Sequence, residues 1–230
     1  MQFFILVLLI CFFIFLFCVY FLGKDDLILL RKDISMDRLF NIIMLGSLVC
    51  LFSARVFYGL FQGGNILLNP FVFFLIPYFP GLSLVGGIIG AGIVFLYLLL
   101  IRKNKLPLGR IFDFCSIGFL TTLPVGILGY FMFSGEKSSA IRTISLMIIY
   151  IIIFSIFWKI FLPRMQSAKF KDGTISFLFL IFFSIISIIS NIIENSKQIL
   201  SLENVILSVM LIASVSALAW QEKLLTKFRN

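Results

Sequence analysis

An arginine set inside an apolar run is the first residue in this chain that could do chemistry. Arg55 stands near the far end of a hydrophobic stretch covering about 38–60. A charge at that depth in a membrane is costly unless paired or hydrated. Its guanidinium offers a fork of donors suited to phosphate or carboxylate oxygens. Two readings stand: a clamp on an anionic lipid head group, or a long side chain snorkelling to the interface. A second set is Ser184, Ser187, Asn191 and Glu194, at steps of three and four, which share one face of a helix. Such a stripe serves either interhelical hydrogen bonding or the lining of a substrate path. Asp113 follows Arg110 at helical spacing and suits a local ion pair or a cap near the membrane surface. Glu136, after Gly135, closes another apolar run; on residues alone it is a solvated loop carboxylate.

Other chemistry is narrowed by what the chain lacks. It has no histidine, which removes the commonest general base and metal ligand. Cys11, Cys18, Cys50 and Cys115 all lie within apolar runs, where they behave as small hydrophobes. Their spacing fits no metal motif. No metal, cofactor or disulfide framework is expected.

The elements that must carry these residues are membrane helices. The 230-residue chain is 61% hydrophobic and 13% charged, far below the roughly 25% charge of soluble domains. Several runs reach the ~20 residues that a ~30 Å hydrocarbon core requires. Residues 2–22 form one such run without a basic leader or small-residue cleavage site, so they read as a retained helix. Further spans are predicted at about 38–60, 82–101, 110–133, 143–162, 173–193 and 204–221, the fifth ending before Pro163. Residues 61–81, rich in proline and aromatics, read as a broken, partly embedded excursion. The expectation is an all-α polytopic bundle of about seven transmembrane helices, forming one integral membrane domain over residues 1–230.

The charge of +9 is scattered between apolar runs rather than clustered, which argues against nucleic acid. With seven spans, 15 of the 19 basic residues fall on one side; Arg55, Lys137, Arg142 and Lys197 fall on the other. The positive-inside rule then puts the N-terminus outside and the C-terminus in the cytoplasm. Apart from Arg55, the span middles hold almost no charge, which speaks against a transport role. No paired aspartates face one another as signal-peptide processing would need.

One stretch is organised differently. Gly81 to Gly92 holds five glycines in a segment that opens the third span. Each would cost a soluble helix roughly 1 kcal/mol relative to alanine, whereas in a bilayer small residues let helix backbones approach closely. Gly86 and Gly90 form a small-xxx-small pair, most simply a packing seam.

Together these segments resemble the prolipoprotein diacylglyceryl transferase family. Ser53-Ala54-Arg55-Val56-Phe57-Tyr58 is similar to its Gly-Ala-Arg-Leu-x-Tyr element, and Gly81-Leu82-Ser83-Leu84-Val85-Gly86-Gly87-Ile88-Ile89-Gly90 to its Gly-Met-Ser-Phe-His-Gly-Gly-Leu-Ile-Gly. Lys105-Leu106-Pro107 through Asp113 resembles its Lys-Ile-Pro segment ending in Asp, and Gly126 through Glu136 its signature Gly-Arg-Ile-Gly-Asn-Phe-x-Asn-Gly-Glu, with one residue more before Gly135. The resemblance covers about residues 38–215. It implies a multi-pass protein of the bacterial cytoplasmic membrane that moves diacylglyceryl from phosphatidylglycerol to the lipobox cysteine of a prolipoprotein. It also implies substrate binding by Arg55, Tyr58, Ser83, Gly86, Gly87 and Gly90, with Glu136 for orientation or base work.

The departures from the family pattern are equally specific. Val85 stands at the motif histidine, Ile127 at the signature arginine, and Tyr130 and Phe133 at the signature asparagines. Ser187 and Asn191 fall near the family's later Arg and Glu. Isoleucine cannot hold a phosphate, and losing a single charge clamp costs about 10²- to 10³-fold in rate by analogy with oxyanion donors. Two expectations follow: a divergent transferase, or a non-catalytic relative that binds anionic phospholipid or a lipoprotein signal segment in the same crevice.

Overall fold

The computed structural model describes residues 3–61, 81–101, 106–134, 140–167, 170–194 and 201–222. These form helices α1 (Phe3–Gly23), α2 (Leu27–Arg31), α3 (Met36–Phe61), α4 (Leu84–Ile101), α5 (Leu108–Ser134), α6 (Ala140–Ile156), α7 (Leu162–Gln166), α8 (Thr174–Glu194) and α9 (Leu202–Gln221), with a π-helical turn at Phe157–Phe161 between α6 and α7. No strand occurs among the described residues. Among the described residues, six stretches are long and apolar enough to cross a membrane, and α4 contributes a shorter apolar helix. The chain is a polytopic helical membrane protein. The predicted spans match the helices to within a few residues; the excursion predicted at 61–81 lies almost wholly outside the described residues.

Two antiparallel glycine seams set the architecture. In α5, Gly118, Gly126 and Gly129 seat Val19 and Phe15, Cys11, and Val7 of α1 in turn. The rising numbers on one helix against falling numbers on the other fix the pair as antiparallel. A Cβ on Gly129 would lie 2.3 Å from a Val7 methyl, so the backbones meet at a distance that only glycine permits.

The second seam joins α3 and α4. Ser83 faces Ala54, Gly86 faces Ser53, Gly90 faces Cys50, and Gly46 faces Val94. The register descends steadily, so α4 retraces most of α3. At 1.5 Å per residue its 18 residues rise about 27 Å, close to the hydrocarbon thickness. Farther along, Phe95 of α4 meets Phe112 of α5 edge to face, with ring centroids 4.8 Å apart. Helix α8 packs on both α9 and α5. The core sits where these helices meet, around Val19, Phe114, Ile117, Leu120, Phe183 and Leu207.

Two features depart from the sequence expectations. The fifth span does not stop before Pro163: α6, the π turn and α7 run on helically through it to Gln166. Proline has no N–H to give its own turn, and the preceding Leu162 N–H reaches back five residues to the Phe157 carbonyl. The wider turn carries the helix past the gap. The charged loop after α1 also contains a helix, α2, whose start is made by Asp26. Its Oδ1 accepts from the N–H groups of Ile28 (3.0 Å) and Leu29 (3.1 Å).

Candidate functional site

Of the residues singled out by sequence, Arg55, Tyr58, Ser83, Gly86, Gly87 and Gly90 lie along the junction of α3 with the first turns of α4. Ser83 is built into this junction on three sides. Its N–H donates to the Ala54 carbonyl (3.0 Å), and its carbonyl accepts from Gly87 N–H (3.0 Å). Its Oγ accepts from Gly86 N–H (3.1 Å), a side-chain cap on the first turn of α4. Ser53 closes the seam from α3 by donating its hydroxyl to the Gly86 carbonyl at 2.7 Å. Sequence reading missed that contact because a lone serine in an apolar run gives no sign of its partner.

Gly86 and Gly90 carry the close approach. A Cβ on Gly86 would stand 2.6 Å from Phe57 Cβ, and one on Gly90 would stand 2.8 Å from Ser53 Cβ. Gly87 differs: its nearest contact would be an ordinary 3.8 Å to Ala54 Cβ. The packing-seam reading of Gly86 and Gly90 describes this geometry; Gly87 lies on the shoulder of the seam.

Arg55, one residue after Ala54, is only 1% exposed. Its Nη1 donates to the Gly81 carbonyl at 2.7 Å, and the guanidinium carbon lies 5.9 Å from the centre of the Tyr58 ring. Gly81 has φ +154°, and a Cβ there would fall 2.2 Å from the Tyr58 ring. Only glycine can take this conformation with the tyrosine in place. Gly81, Tyr58 and Arg55 thus form one unit: the ring backs the turn, and the turn's carbonyl holds one edge of the guanidinium.

Val85 points the other way. It is 2% exposed and belongs to the apolar core, so the position that resembles the motif histidine carries no group able to move a proton. Ile127 is packed against the same core. Glu136 and the side chains of Tyr130 and Phe133 lie outside the described residues.

The opposite ends of the helices hold a second polar cluster. Arg110 does not pair with Asp113, as their spacing suggested. Its Nε and Nη2 donate to Asp26 Oδ2 at 3.0 and 2.7 Å, and its Nη1 donates to the Met165 carbonyl at 3.1 Å. Asp113, 0% exposed, instead caps α8 from outside that helix. It accepts from Gly173 N–H (2.7 Å), Ser176 N–H (2.8 Å) and the Ser176 hydroxyl (2.8 Å). A carboxylate at a helix N-terminus meets both unsatisfied donors and the favourable end of the dipole. Asp26 was legible as an N-cap before the apolar Leu27, but its ionic partner 84 residues away was not.

The stripe on α8 makes interhelical hydrogen bonds. Ser187 lies beside the Tyr150 hydroxyl of α6, and Asn191 Nδ2 donates to Asn204 Oδ1 of α9 at 3.0 Å. Beside them, Arg142 Nη2 donates to Ser190 Oγ at 2.9 Å. The Glu194 side chain lies outside the described residues. Comparison with protein-family models, curated proteins and solved structures finds no match to this chain.

Proposed function

We propose that this protein binds an anionic phospholipid, phosphatidylglycerol being the form its sequence resemblance implies, at the outer end of the α3–α4 pair in the bacterial cytoplasmic membrane. The observation that carries this reading is the placement of Arg55. A guanidinium is fixed near one membrane face by Tyr58 and the Gly81 carbonyl, on a helix pair held rigid by its glycines. The guanidinium is a planar group with donors on more than one edge, a geometry that suits the paired oxygens of a phosphodiester. A preformed, partly desolvated cation binds phosphate with less ordering cost than a mobile one.

Binding without transfer is the form this reading takes. Transfer requires the lipobox thiol to lose its proton as sulfur displaces the glycerol phosphate oxygen. The Val85 side chain can neither accept that proton nor steady the departing phosphate. The resemblance itself favours a second reading, a divergent transferase that uses Glu136 and binds a prolipoprotein signal segment beside the lipid.

Lipid retained by the full-length protein in nanodiscs of mixed phosphatidylglycerol and phosphatidylcholine tests the first reading. The intact protein should enrich phosphatidylglycerol. Arg55→Ala should weaken that preference by about 10- to 100-fold, the worth of a charge-assisted hydrogen bond. Arg55→Lys should be intermediate, because a point charge replaces a fork. An unchanged preference in Arg55→Ala would remove the assignment. Lipid modification of a reporter prolipoprotein in cells depleted of their own transferase would establish the second reading instead.

A further inference from the structure

Hydroxyls in these helices normally turn back on their own backbone. Ser145, Ser155 and Ser208 donate to the carbonyl four residues earlier, and Thr121 and Thr122 donate to the one three residues earlier. Ser184 does not. It is 0% exposed, and its Oγ has no hydrogen-bonding partner among the described residues. It is the eleventh residue of the 21-residue α8, so it lies near the bilayer midplane, where an unsatisfied polar group is most costly.

Ser184 also belongs to the face of α8 that carries Ser187, which lies beside the Tyr150 hydroxyl. Three residues along an α-helix rise about 4.5 Å. Two hydroxyls on one face at that separation are too far apart for a direct bond, yet each is within about 2.8 Å of a single oxygen placed between them. Buried waters occupy such sites, where two or more polar groups converge.

We infer that Ser184 and Ser187 hold a buried water between them, the innermost rung of a polar ladder on α8. From the midplane the ladder continues through Tyr150 to Asn191 with Asn204, and to Ser190 with Arg142. The ligand is water itself, and its role is to satisfy a buried hydroxyl that has no partner among the described residues. This site is separate from the Arg55 pair and stands whether or not that pair binds lipid.

X-ray radiolytic footprinting of the full-length protein tests the site, because radicals generated from bound water label side chains next to it. Tyr150, 5% exposed, should be oxidised on millisecond exposure in the intact protein. In Ser184→Ala its oxidation should slow at least several-fold. Absence of Tyr150 labelling in the intact protein, or an equal rate in the variant, overturns the inference. If Ser184→Ala does not fold, Ser184→Cys is read in the same way, since a thiol is a poor partner for water. Thermal unfolding gives an independent sign. Losing a water-bonded hydroxyl lowers Tm, whereas removing a hydroxyl with no partner at all raises it; a raised Tm would also overturn the water site.

Discussion

At the scale of single residues, glycine content is a poor guide and glycine contact a good one. Three glycines within the family-like motif look alike in sequence but differ in what a methyl group would meet. At Gly86 and Gly90 the obstacles include backbone: Ser53 O at 2.9 Å in the first case and Cys50 Cα at 2.9 Å in the second. Backbone cannot swing aside, so the helices must separate. Gly86→Ala and Gly90→Ala should each destabilise the protein by about 1–3 kcal/mol, the usual cost of overpacking. Gly87→Ala, with 3.8 Å to its nearest neighbour, should be close to neutral. Unfolding of the three variants in mixed SDS micelles measures the difference; gains at all three would show that helix propensity, which favours alanine over glycine, outweighs contact in the seam. The sequence located this segment because five glycines fall within twelve residues there. It did not show that Ser83 is occupied in capping α4, since capping and ligand binding draw on the same hydroxyl.

At the scale of elements, one buried ion pair ties the α1–α2 connection to α5 and α7. Asp26 uses one oxygen to cap α2 and the other to receive two guanidinium nitrogens of Arg110, and both side chains are 4% exposed. Asp26→Ala therefore removes a cap and leaves the buried Arg110 with only its longer contact to a carboxylate, 3.8 Å to Asp172 Oδ1. The expected loss is about 3–5 kcal/mol. Pairing it with Arg110→Met should recover a substantial part, because the stranded charge goes too. Chemical or thermal unfolding of the single and double variants checks this; a double variant as unstable as the single would place the loss in the cap. Helix positions were legible in the sequence from apolar run lengths alone, and all seven long runs are helices. Partnerships between elements were not. Arg110 and Asp113 have the spacing of a helical ion pair, yet each has a better partner from another element. Local spacing says which groups can meet, and tertiary approach decides which do. The Pro163 continuation is similar: a proline near the end of a run signals a stop, but a π turn supplies an alternative acceptor pattern that periodicity does not register.

At the scale of the whole molecule, orientation depends on whether α4 crosses the membrane. If it did not, six spans would leave both termini on one side, and the segregation of basic residues would break down after residue 101. The α3–α4 register argues for a crossing. Contacts from Ser83–Ala54 to Val94–Gly46 carry α4 along α3, and Phe95 then reaches Phe112, five residues into α5. The C-terminal end of α4 thereby comes to the same face as the start of α5, which Arg110 ties to Asp26, the face to which the positive-inside rule assigns the cytoplasm. Arg55 and Arg142 come to the opposite face, the one where the lipid-binding reading needs a cation. Fusions to green fluorescent protein, which fluoresces only in the cytoplasm, and to alkaline phosphatase, which is active only outside it, report this directly. Fusions after Asp33 and after Asn230 should fluoresce and lack phosphatase activity, and a fusion within 135–139 should do the reverse. A phosphatase-active fusion at Asn230 would mean that an odd number of spans follows residue 33, so that one of the helices α3 to α9 counted here as a span does not cross. The Arg55 and Arg110 clusters would then have to be reassigned to faces by direct labelling.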